Sequence, residues 1–273
     1  MQARVLVIAG SDPSGGAGVQ ADIKTVTALG GYAAAAITAL TVQNTRGVQS
    51  VRMQDASFIR DQIDAVITDI GVDAVKIGMI GDIEAAAAIA DILTPHAAST
   101  PIVVDPVLIA TSGDALASDG MAGAIMDRLA PIATVLTPNI DEASALTGRA
   151  IADSNGAQAA GEALREAGAR AALVKGAHLV GGTITDFLVT ADGVSRFANE
   201  RIGDRALHGT GCTLASALAT RLAYGDRVET ATQAAIGFVR AAIRLAPGFG
   251  DGAAPLNHAG AGAAVRADGD KPS

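Results

Sequence analysis

The chain has 273 residues, 49% of them hydrophobic and 18% charged, enough apolar material for one large α/β domain. Its net charge of −8 and pI of about 4.9 argue against a surface for nucleic acid or an anionic membrane, yet leave room for a small anionic ligand in a local field. A single cysteine excludes an intramolecular disulfide, and no stretch reaches the ~20 apolar residues of a membrane span. The N-terminal apolar run, residues 5–9, is too short for a secretory core, so a soluble, cytoplasmic protein is expected.

In chain order, β-branched runs alternate with alanine-rich helical patterns. Residues 4–9 read as a strand and 17–29 as a helix. Residues 32–40 read as a strand, because they lie between Gly30-Gly31 and the polar Gln43-Asn44-Thr45. A helix is predicted over 57–70, a strand over 74–77, a helix over 83–93, a strand over 102–105 and a helix over 117–129. A strand over 134–136, helices over 140–146 and 156–167, and a strand over 171–175 follow. Such alternation predicts a mainly parallel sheet with helices on both faces. After Gly181-Gly182 the pattern changes to an antiparallel hairpin, 183–190 and 194–197, turned by Ala191-Asp192-Gly193. Long helices over 213–223 and 228–245 come next. No linker or repeat divides the chain, so residues 1–258 read as one domain. Residues 259–273, rich in Ala, Gly and Asp without an apolar period, read as a disordered tail.

Ligands of a parallel α/β sheet collect at the carboxyl ends of its strands, and those ends carry the polar groups here. The first is followed by Gly10-Ser11-Asp12-Pro13-Ser14-Gly15-Gly16-Ala17-Gly18, a glycine loop that is neither a dinucleotide fingerprint nor a Walker loop. Gln43 can donate and accept at once, which suits an amine beside a ring nitrogen, although a plain polar turn reads as well. Met79 reads as core filler or ligand wall. Asp105 at a strand end, with Asn139 and Glu142 three residues apart, makes a plausible set of outer Mg²⁺ ligands; Asn139 and Glu142 read equally as a helix cap and its partner. Lys175 adds a cation at a strand end. His208-Gly209-Thr210-Gly211-Cys212-Thr213 then opens a helix, the physical recipe for an anion site. Phosphoryl transfer needs such a set: positioning, charge neutralisation and a place for negative charge to build.

These residues carry a resemblance. Residues 10–24, Ile37–Thr45, Lys76-Ile77-Gly78-Met79, Asp105-Pro106-Val107, Thr137–Glu142, Lys175–His178 and His208–Thr213 resemble, in order, the motifs of the bacterial hydroxymethylpyrimidine/phosphomethylpyrimidine kinases of thiamine biosynthesis. The resemblance spans residues 5–258. It implies a ribokinase-like three-layer α/β/α sandwich, often a homodimer, that uses ATP and Mg²⁺ to phosphorylate 4-amino-5-hydroxymethyl-2-methylpyrimidine and then its monophosphate. Gln43 and Asp22 would hold the aminopyrimidine, with Val42, Met79, Val107 and Gly10 around it. Asp105 and Glu142 would serve the metal. Asn139, Lys175, Thr210 and His208 would serve the nucleotide, and Gly209 and Gly211 the transfer itself. Cys212 becomes the candidate acceptor of the hydroxyl proton, its thiol pKa expected to be lowered by the helix N-terminus. The segment Gly250–His258 departs from the family's usual Gly-His-Gly-Pro, and Ala177 stands where a second glycine is usual. Two other readings compete: a pyridoxal/pyridoxine kinase, and a non-catalytic sensor of the pyrimidine phosphate.

Overall fold

Strand β1 (Arg4–Ser11) builds the sheet by alternation: Val5 and Val7 face one side and Leu6 and Ile8 the other, all buried. The computed structural model describes residues 2–108, 118–178, 182–203 and 205–269. After β1 come α1 (Gly18–Ala28), β2 (Tyr32–Asn44), β3 (Gly47–Met53), α2 (Ala56–Asp69), β4 (Ala74–Ile77), α3 (Ile83–Leu93) and β5 (Ile102–Val104). The short α4 (Met121–Ala124) runs into a π turn, followed by β6 (Val135–Leu136), α5 (Ile140–Thr147), α6 (Ser154–Glu166) and β7 (Ala171–Val174). The hairpin β8 (Thr183–Thr190) and β9 (Gly193–Glu200) leads to β10 (Leu207–His208), α7 (Thr210–Ala223), α8 (Val228–Arg244), β11 (Ala254–Pro255) and α9 (His258–Gly269).

The main sheet has the order β3-β2-β1-β4-β5-β6-β7-β8-β9, parallel from β2 to β7 and antiparallel at both edges. Helices α2 to α6 cover one face, with Ile59, Ala85, Met121, Ala143 and Ala157 in its core. Helices α1, α7, α8 and α9 cover the other, with Val19, Ala215, Ala235 and Ala261 buried. This is the expected three-layer sandwich. The chain steps outward from β1 to β2 and returns to add β4 on the other side of β1, so a topological switch point lies between β1 and β4. The carboxyl ends there form the natural crevice.

Three expectations need correction. Strand β2 does not stop at Leu40 but runs to Asn44, because Gly47–Met53 folds back as β3 and pairs with it, Gln43 opposite Val48. That polar, half-exposed strand lacks the apolar alternation that would announce it. The helix expected over 117–129 starts at Met121, and residue 117 lies outside the described residues. The segment expected to be a disordered tail forms α9 up to Gly269; residues 270–273 lie outside the described residues. Asn257 caps α9 by accepting from the Gly260 N–H at 2.8 Å. Its small residues allow close packing: Ala261 is fully buried, and a Cβ at Gly262 would lie 2.6 Å from the Ala28 carbonyl oxygen. Close backbone approach replaces an apolar stripe.

Candidate active site

Two glycine-rich turns meet at the switch point. Gly209 takes a left-handed conformation (φ 80°) to start α7, and a Cβ there would sit 1.9 Å from the Gly16 carbonyl oxygen. The turns are also bonded. The Asp12 carboxylate is buried beneath the loop and accepts from the N–H groups of Ser14, Gly16 and Ala17 at 2.8, 3.1 and 2.8 Å. Its Oδ2 lies 2.9 Å from Nε2 of His208, which ties the first turn to the second. No side chain caps α7, so its first N–H groups remain free to bind an anion.

Together these turns wall a cavity of ≈ 750 Å³. Gly10, Gln43, Met79, Asp105, Val107, Asn139, Glu142, Lys175, His208, Gly209, Thr210, Gly211 and Cys212 all line it. Asp22 and Val42 do not. Asp22 is fully buried and bound to Lys76, because α1 turns it toward the sheet. Val42 projects from β2 and is 53% exposed. Sequence reasoning missed Asp186, which lines the cavity from β8 and accepts from the Gly176 N–H at 2.8 Å. An acid directly before the apolar run Phe187-Leu188-Val189 of a predicted strand was the available signal.

The charges converge on one cation. Lys175 Nζ donates to Asp105 Oδ1 at 2.8 Å and lies 3.8 Å from Glu142 Oε2. Burial opposes the lysine's charge, but Asp105 and Glu142 outweigh it and raise its pKa. Asn139 and Glu142 form the reciprocal capping box, 2.8 and 2.7 Å, and both also line the cavity. Burial pushes the Glu142 carboxyl up to about 7, against the pull of Lys175. A Cβ at Gly211 would lie 3.2 Å from Lys175 Nζ and 3.3 Å from Asp105 Oδ2, so this glycine keeps open the space between the helix start and the charges.

Cys212 departs from expectation. Burial pushes its thiol up to about 11, although Lys76 and the Gly18 N–H pull the other way; Asp22 and Asp105 add to the rise. Desolvation outweighs the helix N-terminus. The thiol is therefore the resting form near neutrality.

A family model described as phosphomethylpyrimidine kinase matches residues 12–257. The hydroxymethylpyrimidine/phosphomethylpyrimidine kinase of Rhizobium meliloti is 48% identical, over 94% of this chain and 97% of its own length. The thiamine biosynthesis bifunctional protein ThiED of Geobacter sulfurreducens is 47% identical over 93% of this chain, which spans 52% of that longer protein. Among solved structures, an ADP complex of Bacillus subtilis pyridoxal kinase superposes with a TM-score of 0.87 at 31% identity, covering 95% of this chain and 98% of that one. The phosphomethylpyrimidine kinase of Clostridium difficile gives a TM-score of 0.79 at 37% identity, covering 89% and 100%. With glycine turns, paired carboxylates and lysine gathered at the strand ends, and with a family model matching nearly the whole length, the chain belongs to the phosphomethylpyrimidine kinase family.

Proposed function

We propose that the cavity transfers a phosphoryl group from ATP to 4-amino-5-hydroxymethyl-2-methylpyrimidine and then to its monophosphate, giving the pyrophosphate. Relatives at 40–48% identity are named hydroxymethylpyrimidine/phosphomethylpyrimidine kinases, and one at 47% a thiamine biosynthesis bifunctional protein. The observation that carries the reading is Lys175 between Asp105 and Glu142, facing the uncapped start of α7 across the space that Gly211 leaves.

Each residue then has a task. Gln43 offers a donor and an acceptor to the amine and ring nitrogen of the pyrimidine. Met79 and Val107 wall the ring, and Gly10 lets it approach, since a Cβ there would already stand 3.1 Å from Met79 Sδ. Lys175, Asn139, Thr210 and His208 meet the nucleotide phosphates, with the N–H groups of Gly209 to Gly211 directed at the moving phosphoryl group. The donor set fits Mg²⁺: two hard carboxylates within reach of one positive charge suit an ion that keeps most of its waters. Asp105 and Glu142 would hold it, and it would supply charge neutralisation on the phosphate oxygens. Cys212 first loses its own proton to water, and its thiolate then holds the substrate hydroxyl and takes that proton at Sγ. The chain acts in the cytoplasm, where its lone thiol stays reduced. It works as a homodimer: Leu40 and Val42, on one face of β2 near the sheet edge, are 47% and 53% exposed.

Incubation with ATP and the hydroxymethylpyrimidine should give a product carrying two phosphates by mass, through a species carrying one. A product that never exceeds one phosphate would confine the activity to the first step. The likeness to pyridoxal kinases of known structure supports one second reading, phosphorylation of pyridoxal. A coupled ADP-release assay with both substrates separates them: kcat/KM should favour the pyrimidine, and a higher value for pyridoxal would reverse the assignment.

A further inference from the structure

Behind the anion turn, and outside the cavity lining, lies a fully buried polar cluster that the transfer chemistry has not yet used. Lys76 sits on β4, where Val75 and Ile77 face the α2–α6 layer and Lys76 faces α1 and α7. Its side chain has 0% exposure, and its Nζ donates to both oxygens of Asp22 at 2.9 and 2.8 Å. Ser216 donates to Asp22 Oδ1 at 2.7 Å.

The spacing of these groups is informative. On α1, Asp22 follows Gly18 by four residues; on α7, Ser216 follows Cys212 by four. The Gly18 N–H points at the Cys212 sulfur, and Asp22 accepts from Ser216. Two contacts one helical turn apart therefore lock the starts of α1 and α7 together, with Lys76 beneath them. A buried ion pair is weak evidence for stability, because desolvation offsets most of its attraction and apolar residues of similar volume pack as well. This one has an electrostatic neighbour instead. Burial opposes the Lys76 charge, but Asp22 above all, with Asp105, keeps it protonated. The charged groups facing Cys212 are Lys76 from β4, Asp22 from α1, Asp105 beyond β5 and Lys175 beyond β7. Lys76 is the one whose charge acts most strongly to favour the thiolate.

We propose that Lys76 is a positioning residue of the transfer step: a buried cation, held by Asp22 and Ser216, whose charge acts on the Cys212 sulfur. The role in transfer rests on the reading of Cys212 as proton acceptor; the action on the sulfur does not.

Cys212 is the only cysteine of the chain, so the rate of alkylation by iodoacetamide reports on that sulfur alone. Lys76→Met removes the favouring charge and should slow alkylation at pH 8, whereas Asp22→Asn removes an opposing charge and should speed it. A merely structural lesion would move both variants the same way. If Lys76→Met does not fold, Asp22→Asn and the double variant D22N/K76M differ only in the lysine's charge. The double variant should then react about tenfold more slowly than Asp22→Asn, the equivalent of about one pKa unit. Equal rates for those two, or shifts of Lys76→Met and Asp22→Asn in one direction, would overturn the proposal. The pH profile of kcat adds the second readout: its acid limb should move to higher pH in Lys76→Met. Opposed alkylation rates with an unmoved kcat limb would overturn the role in transfer, and with it the proton-acceptor reading of Cys212.

Discussion

Cys212 lies where two demands on a side chain conflict. The proposed role sets it against the substrate hydroxyl in the cavity, while burial raises its thiol to about 11. A group so hard to ionise is a strong base once ionised, which suits removal of a proton from an alcohol. Cys212→Ala should therefore lower kcat by ~10²-fold or more while KM for ATP stays within about twofold. Steady-state kinetics decide the matter, and a loss of kcat below about threefold would leave Cys212 a packing residue. Gln43→Ala should act on the other substrate, raising KM for the pyrimidine about tenfold or more through lost hydrogen bonds, with KM for ATP unmoved. A changed KM for ATP would place Gln43 on the nucleotide instead. At this scale most of the site was legible, because strand ends in a parallel sheet announce themselves and glycine turns have few other uses. The depth of a side chain was not. Asp22 reads as a ligand group in a polar stretch, and only the packing of α1 on β4 reveals that it is spent on Lys76.

At the scale of elements, α9 has a task that composition conceals. His258 begins it, is 3% exposed, and places Nε2 2.9 Å from Thr213 Oγ1. That hydroxyl already donates to the Gly209 carbonyl at 2.8 Å, so the imidazole must supply the proton of the shared bond. The C-terminal helix is thereby bonded to the first turn of α7. Burial, then Lys24, lowers the His258 pKa from 6.5 to about 4. The unfolded chain therefore binds a proton at a pH where the folded chain does not. Stability is fully present above about 6.5 and declines as pH falls toward 4, by about 3 kcal/mol in all. His258→Gln keeps a donor but cannot titrate. Its Tm should lie below that of the parent at pH 7.5, and the gap should close by pH 5; two parallel curves would contradict the assignment. Elements with an apolar rhythm, such as α3, were legible to the residue. Those built from small residues or polar edge strands, α9 and β3, were not, since tertiary contact and not periodicity holds them.

For the molecule as a whole, the parallel sheet divides the work between its two sides. Strands β5 to β7 deliver Asp105, Asn139 and Lys175, the groups assigned to phosphate, whereas β2 delivers Gln43 from the opposite side of the switch point. Beyond Leu40, β2 pairs in the sheet with β3, itself the edge, while Thr41 donates to the Ser11 carbonyl and Thr45 accepts from Ala253; the strand shows Leu40 and Val42 to solvent on one face. An edge with exposed apolar residues is a surface that proteins usually cover, and a second copy of the chain would cover it here. The dimer would then brace the strand that positions the pyrimidine, while leaving the phosphate side untouched. L40R/V42R, which puts two like charges on that face, should sediment at half the mass of the parent. It should also raise KM for the pyrimidine several-fold with KM for ATP unchanged, because only Gln43 rides on the freed strand. A parent that sediments as a monomer, or a variant that keeps the dimer mass, would remove the basis for this coupling. A monomeric variant with unaltered KM values would show that contacts within one chain hold Gln43 in place.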